Sequence, residues 1–428
     1  MYFSFPQGTL TVMTASDGKR RQRSIAGCRW NMEIPVRQPV FYTDISEIME
    51  HMKGEHMLEI VVRPELYHFD KVSEFAEEFS IGSGDLIITN EYIYQPYFGN
   101  MNLGCDVLYQ EKYGKGEPND EMVEAMIADM QKMGEHKRVI GIGGGTVLDI
   151  SKIFALKYLH PIEKLYDREL PVEKDKELIL VPTTCGTGSE VTNIAILAFL
   201  KRNTKFGLAD NAMYADKAVL IPEFLENLPY PVFATSSLDA LVHAVESSLS
   251  PKATPYTKLF GYKAIEMILN GYQKMAAEGK EARIPLLSDF LIASNFAGLA
   301  FGTAGCAAVH AMSYPLGGTF HVPHGEANYA IFKGVIDNYL EIKKDGAIDE
   351  LADYLAGILG CEKELAFTEL FKLLDQILER KSLKAYGADD EMLKRWTEEV
   401  INGQQRLMKN NFVFLDAERV LKIYRELY

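Results

Sequence analysis

The chain has 428 residues, 47% hydrophobic and 25% charged, which is typical of a soluble globular protein long enough for two domains. Its formal net charge is −15 and no apolar run approaches the roughly 20 residues of a membrane helix, so we expect neither a nucleic-acid nor a membrane partner. Five separated cysteines form no zinc or disulfide pattern, which predicts a reducing, cytoplasmic location: Cys28, Cys105, Cys185, Cys306 and Cys361.

The first 56 residues differ in composition from the rest. Lys19-Arg-Arg-Gln-Arg23 is a basic run, and Asp17 is the only acidic residue before Glu33. An Arg-rich, acid-poor start is typical of a targeting peptide, but no clear cleavage site follows. We expect instead a poorly ordered extension, or an over-long gene start with Met57 as the true first residue. One short helix is predicted within it, over residues 43–51.

From Met57 onwards, strand and helix patterns alternate. Short apolar runs predict buried strands over residues 85–89, 138–142 and 178–181. Apolar residues at helical spacing predict helices over residues 120–133 and 147–159. Strands that alternate with helices indicate a parallel α/β sheet.

After about Pro231 the strand patterns stop. We predict an all-helical domain over residues 231–428, after an α/β domain over residues 57–230. The helical patterns cover residues 237–248, 255–275, 286–301, 307–314, 348–359, 363–378, 389–402 and 417–428.

Two glycine-rich loops follow predicted strands. Gly143-Gly-Gly-Thr146 precedes a helix, where glycines either let the backbone approach a phosphate or simply form a tight turn. It is not the G-x-G-x-x-G fingerprint. The second loop, Thr183-Thr-Cys-Gly-Thr-Gly-Ser189, adds glycines and hydroxyls after another strand. Two such loops at strand ends predict a dinucleotide across the crevice of a Rossmann-like sheet.

Two further features lie near these loops. Asp149 and Lys152, at i and i+3, are either an ion pair or a solvated surface pair. Cys185 is a poor candidate for a nucleophile, because no histidine lies near it in the sequence.

A second group of residues has the chemistry of metal ligands. Asp239 and His243, at i and i+4, share a helix face. His310 and His324 lie further along, and the residues between them should end one helix and turn the chain back: Pro315, Gly317, Gly318 and Pro323. One carboxylate and three imidazoles that converge would form a four-ligand site for a divalent transition metal.

Spacing alone leaves alternatives for this site. His321 and His324 are nearly equal candidates for the third histidine. His310 is equally compatible with a core histidine, and Asp239 with a simple hydrogen bond to His243. Glu246 continues the same face and is more plausible as a partner of a ligand than as a ligand.

Four motifs together resemble the iron-containing (group III) alcohol dehydrogenases. They are Gly143-Gly-Gly-Thr-x-x-Asp-x-x-Lys152, Pro182-Thr-Thr-x-Gly-Thr-Gly-Ser-Glu190, Asp239-Ala-Leu-x-His243, and His310 with His324, in family order over residues 57–428. Within that family the chain is most similar to the NAD-dependent members that act on 4-hydroxybutyrate. That closer likeness lies in Asn193, Tyr314-Pro-Leu-Gly-Gly, His321-Val-Pro-His-Gly-Glu-Ala-Asn328 and Gly403-Gln-Gln-Arg406.

The resemblance implies a dehydroquinate synthase-like fold and specific site residues. The implied metal ligands, for Fe²⁺ or sometimes Zn²⁺, are Asp239, His243, His310 and His324. The implied NAD-binding residues are Asn90, Gly144, Gly145, Thr146, Asp149, Thr183, Thr184, Thr187, Asn193 and Lys205.

Two positions depart from the family pattern. Many relatives have an Asp at Asn90, where it would disfavour the 2′-phosphate of NADP, so its absence weakens the preference for NAD. Most relatives have a His at Tyr314. Tyr314 either donates a hydrogen bond as a catalytic residue or packs against the site.

The resemblance implies metal-assisted hydride transfer between 4-hydroxybutyrate and NAD, giving succinate semialdehyde, in a homodimer or larger homo-oligomer. The alternatives are a dehydrogenase for another small alcohol or diol, a dehydroquinate synthase-like lyase, and a binding module without catalysis.

Overall fold

The computed structural model of the protein describes residues 3–4, 11–16, 19–24, 58–202 and 204–428. Its strands are β1 Phe3–Ser4, β2 Thr11–Ser16, β3 Lys19–Ser24, β4 Glu65–His68, β5 Asp85–Thr89, β6 Asp106–Tyr109, β7 Arg138–Gly143, β8 Glu177–Pro182, β9 Ile194–Phe199, β10 Thr204–Ala209 and β11 Lys217–Leu220.

The α-helices follow the same chain order. They are α1 Val72–Glu78, α2 Glu91–Phe98, α3 Asp120–Met133, α4 Gly145–Phe154, α5 Ile162–Tyr166, α6 Glu223–Glu226, α7 Tyr230–Leu249, α8 Pro255–Glu278, α9 Leu287–Ala304, α10 Ala308–Phe320, α11 His324–Ile342, α12 Ala347–Leu359, α13 Ala366–Ile377, α14 Leu383–Tyr386, α15 Asp390–Gly403, α16 Gln405–Met408 and α17 Ala417–Glu426.

The chain divides into two compact units, Met1–Leu58 and Glu59–Tyr428. In the first unit, β1, β2 and β3 pair in an antiparallel sheet. The helix predicted over residues 43–51 lies outside the described residues. The expectation of a poorly ordered extension or a late start stays a prediction.

In the second unit, six parallel strands form a sheet in the order β4-β11-β8-β7-β5-β6. Every residue of β5 is buried, and so is all of β7 and β8 except the first residue of each. Apolar clusters cover both faces of this sheet, which is why its central strands are continuous apolar runs. The predicted parallel α/β fold is confirmed.

The sequence analysis missed the other three strands of this sheet, β4, β6 and β11, and the separate pair β9–β10. The edge strand β4 is largely exposed. The antiparallel pair β9–β10 lies outside the main sheet, and β9 alternates between buried and half-buried residues. Alternation of this kind gives a weaker signal than a buried run.

The described chain has no strand after β11, so the predicted all-helical second half is confirmed. Most helices lie within a few residues of their predicted bounds, although α4 begins earlier, at Gly145, and ends earlier. The division into two domains at residue 230 stays a prediction, since Glu59–Tyr428 forms one compact unit.

One expectation about the segment after His310 was wrong, and one helix was not predicted. Helix α10 does not end at Tyr314 but continues through Pro315 to Phe320. A proline removes one helical hydrogen bond yet has a helical φ, and both Pro315 and Leu316 are buried in this helix. The helix ends where His321 adopts a φ of 55°. The whole of α11 was also missed, although buried residues recur in it every fourth position: Ala327, Ile331, Val335 and Tyr339.

The expectation that no segment has the length and apolarity of a membrane helix was also wrong. Within the described residues, one helical segment, Lys280–Ala304, meets both criteria, and 56% of its apolar window is buried inside the protein. A core helix of a soluble protein meets the same criteria.

Candidate metal centre and cofactor cleft

Three helices bring the predicted metal ligands together. Asp239 and His243 lie on one face of α7, His310 lies in the first turn of α10, and His324 begins α11. One ligand atom from each residue lies within 4.8 Å of those from the others. The structure therefore groups the four predicted residues. It also separates the two nearly equal histidines, because His321 is exposed and outside this cluster.

The Asp239 carboxylate is the centre of the cluster. Its Oδ1 lies 3.7 Å from both His310 Nε2 and His324 Nε2, and its Oδ2 lies 3.9 Å from His243 Nδ1. Asn328, one turn into α11, donates from Nδ2 to Asp239 Oδ1 at 2.7 Å and lies 3.1–3.2 Å from the two Nε2 atoms. Three candidate ligand atoms, from Asp239, His310 and His324, therefore lie around the same Asn328 nitrogen.

The protonation states also suit a cation. Burial would raise the pKa of Asp239, but the nearby histidines lower it below its usual value, so the group is a carboxylate at neutral pH. Burial lowers the pKa of His243 to about 3 and also lowers that of His324, which keeps both imidazoles neutral. A carboxylate with neutral imidazoles is a donor set for Fe²⁺ or Zn²⁺.

Glu246 orients His310. Its carboxylate accepts hydrogen bonds from the backbone N–H groups of Ala307 and Val309, at the start of α10, and from His310 Nδ1 at 2.6 Å. Burial would lower the pKa of His310, but Glu246 raises it overall. The Nδ1 contact fixes the ring so that Nε2 faces Asp239, an arrangement common around metal-bound histidines.

The two glycine loops lie side by side at the carboxyl ends of β7 and β8. These strands are adjacent, with Gly143 opposite Pro182. A Cβ on Gly145 would lie 2.9 Å from the Thr187 side chain, and one on Gly144 would lie 3.7 Å from Thr184. The Thr183 N–H donates to the Gly143 carbonyl at 3.0 Å. The helix start at Gly145 therefore lies beside the Thr184 and Thr187 side chains of the second loop, and its free backbone N–H groups are of the kind that bind phosphate.

The remaining predicted cofactor residues have other contacts. The Thr146 hydroxyl donates to the Gly116 carbonyl at 3.1 Å. The Asn193 carbonyl accepts from the Asp210 N–H at 3.0 Å. Their roles toward NAD stay predictions.

Asp149 and Lys152 are an internal pair, so the solvated alternative was wrong. Lys152 is fully buried, and its ammonium donates to the Ser189 and Thr192 hydroxyls and to the Ile194 carbonyl at 2.7–3.1 Å. Asp149 accepts hydrogen bonds from the Ser189 hydroxyl and the Ile196 N–H. The pair ties α4 to the second cofactor loop.

That loop also touches the metal cluster. The Gly186 carbonyl lies 3.3 Å from His243 Nδ1, and a Cβ on Gly186 would lie 2.6 Å from the Ser236 carbonyl oxygen on α7. Cys185 is fully buried, and burial raises its pKa to about 12, so it has no nucleophilic thiolate at neutral pH.

Asn90 follows β5 directly and has an acidic neighbour that the sequence did not reveal. Its amide donates to Glu111 at 2.9 Å, and Glu111 also accepts from the Glu91 N–H at 2.6 Å. A carboxylate beyond the strand next to the phosphate loop is the usual partner of the adenosine ribose. Glu111 lies just after β6, twenty-one residues from Asn90, so only the pairing of β5 with β6 brings them together.

Tyr314 lies beside the His324 ring, next to the cluster. Its ring centroid is 6.0 Å from that of His324, and the Lys205 ammonium lies 5.4 Å from the Tyr314 ring. Lys205 is itself paired with Glu117. Burial raises the pKa of Tyr314, so its hydroxyl is protonated at neutral pH and can donate a hydrogen bond but not accept a proton.

The comparisons with known proteins agree with this architecture. Residues 64–222 match the model of the iron-containing alcohol dehydrogenases, and residues 233–428 match the model of their C-terminal domain. The chain belongs to the iron-containing alcohol dehydrogenase family.

Individual relatives include a 4-hydroxybutyrate dehydrogenase from Clostridium kluyveri, 48% identical over 85% of this chain and 98% of its own length. Long-chain-alcohol dehydrogenase 1 from Geobacillus thermodenitrificans is 33% identical over 71% of this chain and 78% of its own length. Among solved structures, sulfoacetaldehyde reductase from Bifidobacterium kashiwanohense in complex with NAD⁺ has a TM-score of 0.75 at 22% identity, covering 87% of this chain and 99% of its own. The last comparison shows the shared fold.

Gly325 allows α11 to approach α7 next to the ligands. A Cβ there would overlap the Thr235 carbonyl oxygen and lie 3.2 Å from Asp239 Cβ. We expect Gly325→Ala to lower the free energy of unfolding by about 1–3 kcal/mol, since backbone atoms cannot yield as a side chain does. Because His324 adjoins Gly325, bound metal should fall as well.

Thermal melts and metal content of the purified protein measure both effects. Gly318→Ala is the matched control, because no atom lies within 4 Å of a Cβ built at that helical glycine. Equal behaviour of the two variants would contradict the close approach of α11 and α7.

Proposed function

We propose that the protein is an NAD-dependent, metal-containing dehydrogenase that interconverts 4-hydroxybutyrate and succinate semialdehyde. The observation that carries the proposal is the 48% identity to the Clostridium kluyveri 4-hydroxybutyrate dehydrogenase over 98% of that enzyme. The four-residue cluster beside two glycine loops supports it, because it gives this chain the groups that such a reaction needs.

Asp239, His243, His310 and His324 would hold the metal, and the glycine loops would hold the cofactor pyrophosphate. When bound, a divalent metal supplies Lewis-acid polarisation of the alcohol oxygen, while NAD accepts the hydride. No strong protein base is then required.

The chain's own residues orient the reactants. The contact between Gly186 and His243 couples the cofactor loop to the cluster, so the reacting carbon and the nicotinamide would meet beside α7. The protonated Tyr314 hydroxyl would donate a hydrogen bond near the substrate oxygen. Lys205, whose ammonium lies 5.4 Å from the Tyr314 ring, would contact the nucleotide.

Glu111 supports NAD as the cofactor. Its carboxylate lies beside Asn90, where many relatives have an acidic residue, and it would repel the 2′-phosphate of NADP. Glu111→Gln is therefore expected to raise kcat/KM with NADP relative to NAD. If the ratio of kcat/KM with NADP to kcat/KM with NAD did not change, Glu111 would have no part in the choice between the two cofactors.

The test of the main proposal is a spectrophotometric assay of NADH formation with purified, metal-analysed protein. We expect 4-hydroxybutyrate to be oxidised with a higher kcat/KM than butan-1-ol or propane-1,3-diol. A clear preference for butan-1-ol would assign the site to another alcohol. A reaction without net NADH formation would indicate lyase chemistry in which NAD is recycled.

We further propose a cytoplasmic location and a homo-oligomer of at least two subunits, with no nucleic-acid or membrane partner. Four free cysteines in the described residues, Cys105, Cys185, Cys306 and Cys361, are consistent with a reducing compartment. Light scattering coupled to size-exclusion chromatography measures the subunit number, and a monomer would contradict it.

A further inference from the structure

A four-carbon hydroxy acid carries a carboxylate at the end opposite its reacting carbon. To be held in the site, that carboxylate needs a cationic partner that is not already neutralised. Lys205 faces the Tyr314 ring, but Glu117 neutralises its ammonium. Burial would raise the pKa of Glu117, yet Lys205 lowers it overall, so Glu117 stays charged and remains the partner of Lys205.

The second cation near Tyr314 is Arg406, in the short helix α16. This helix packs against α10, which carries both His310 and Tyr314. The segment that follows α16 is fixed to α10 by Asn410. The Asn410 amide donates to the Cys306 carbonyl at 2.8 Å, just before α10 begins. Arg406 is therefore held beside the ligand-bearing helix.

The Arg406 guanidinium is available for a ligand. Its side chain is exposed, and among the described residues it has neither a salt bridge nor a hydrogen-bond partner. Its main chain is tied to the start of α10, because the Asn410 amide that donates to the Cys306 carbonyl also donates to the Arg406 carbonyl at 3.4 Å. Cys306 and His310 in turn have ligand atoms within 4.8 Å of each other. Burial raises the pKa of Tyr314, and the positive charge of Arg406 opposes that rise.

We propose that Arg406 binds the substrate carboxylate and so selects short ω-hydroxy acids and their semialdehydes over neutral alcohols. The inference rests on the proposed function. The guanidinium offers a planar pair of N–H donors that matches a carboxylate, which a lysine at the same position would not reproduce. The other end of the substrate would then face Tyr314 and the metal ligands one turn apart on α10.

The experiment compares wild type, Arg406→Gln, Arg406→Lys and Lys409→Gln. Lys409 is the matched control, an exposed cation three residues further on with no ion pair among the described residues. Each protein is assayed with NAD and either 4-hydroxybutyrate or butan-1-ol, its neutral counterpart. Calorimetric titration with butyrate in the presence of NADH measures carboxylate binding without turnover.

We expect Arg406→Gln to raise KM for 4-hydroxybutyrate and Kd for butyrate by about 10- to 100-fold, the usual effect of losing a charge-assisted hydrogen bond. The kinetics with butan-1-ol should be unchanged. Arg406→Lys should recover part of the loss, and Lys409→Gln should behave as wild type.

Equal losses with both alcohols in Arg406→Gln would assign the residue a structural role and overturn the inference. Unchanged butyrate binding would overturn it as well. A wild-type protein that does not oxidise 4-hydroxybutyrate would instead overturn the proposed function, and the butyrate titration would still decide whether Arg406 binds a carboxylate.

Discussion

Replacement of His310 by alanine is expected to abolish tightly bound metal and to lower kcat/KM by about 1,000-fold or more. Lewis-acid polarisation is worth several kcal/mol in the transition state, and each 1.4 kcal/mol corresponds to about a factor of ten in rate. His310 contributes an Nε2 that faces Asp239 and a ring orientation fixed by Glu246. Its loss removes one ligand and leaves Glu246 without its imidazole partner.

The matched control for this variant is His321→Asn. His321 is exposed and has a φ of 55°, a conformation that Asn accepts more readily than most residues. We expect its metal content, measured by plasma emission spectrometry, to equal that of the wild type. His324→Ala should behave as His310→Ala. If His310→Ala kept its metal and His321→Asn lost it, the metal ligand would be His321 and not His310.

Replacement of Lys152 by methionine is expected to lower the free energy of unfolding by about 3–5 kcal/mol, because the Asp149 carboxylate, whose side chain is only 15% exposed, loses its cationic partner. Lys152 is fully buried and holds four oxygen atoms, including Asp149 Oδ1 at 3.4 Å. Burial lowers its pKa, although Asp149 opposes that shift. The variant should also bind NAD more weakly, since the Lys152 ammonium holds the second cofactor loop.

The shift in the urea midpoint and the NAD dissociation constant test this expectation. Lys132→Met is the control. Lys132 also pairs with an aspartate at i−3, Asp129, but 74% of the Lys132 side chain is exposed. Such surface pairs contribute about 0–1 kcal/mol. If the two lysine variants lose similar stability, the buried network does not carry the stability assigned to it.

The double variant Asp149→Asn/Lys152→Met separates coupling from simple loss of contacts. Because the two side chains share Ser189, their effects should not be additive. Additive losses would indicate that each side chain acts alone.

Much of the fold was predictable because its signals are local. The central strands β5, β7 and β8 are apolar runs, and their burial on both faces requires that composition. Helix α3 has its predicted bounds, since Asn119 accepts the Met122 N–H as an N-cap and the apolar spacing is regular. Among the elements that were not predicted, β9 has a signal weakened by alternation, β4, β6 and β11 are only four residues long, and α11 follows a segment with glycine and proline.

By itself, the sequence determined the class of the fold, the two glycine loops and the types of residue that could form a metal site, because strand, helix and turn preferences act over a few neighbours. Only the tertiary structure decided which residues meet. It separated His324 from His321 through the packing of α11 on α7, and of the two alternatives left open for Asp149 and Lys152 it showed the internal pair. It also brought Glu111 to Asn90 and Arg406 to α10. Contacts between distant segments depend on how helices and strands pack, and spacing along the chain does not record that packing.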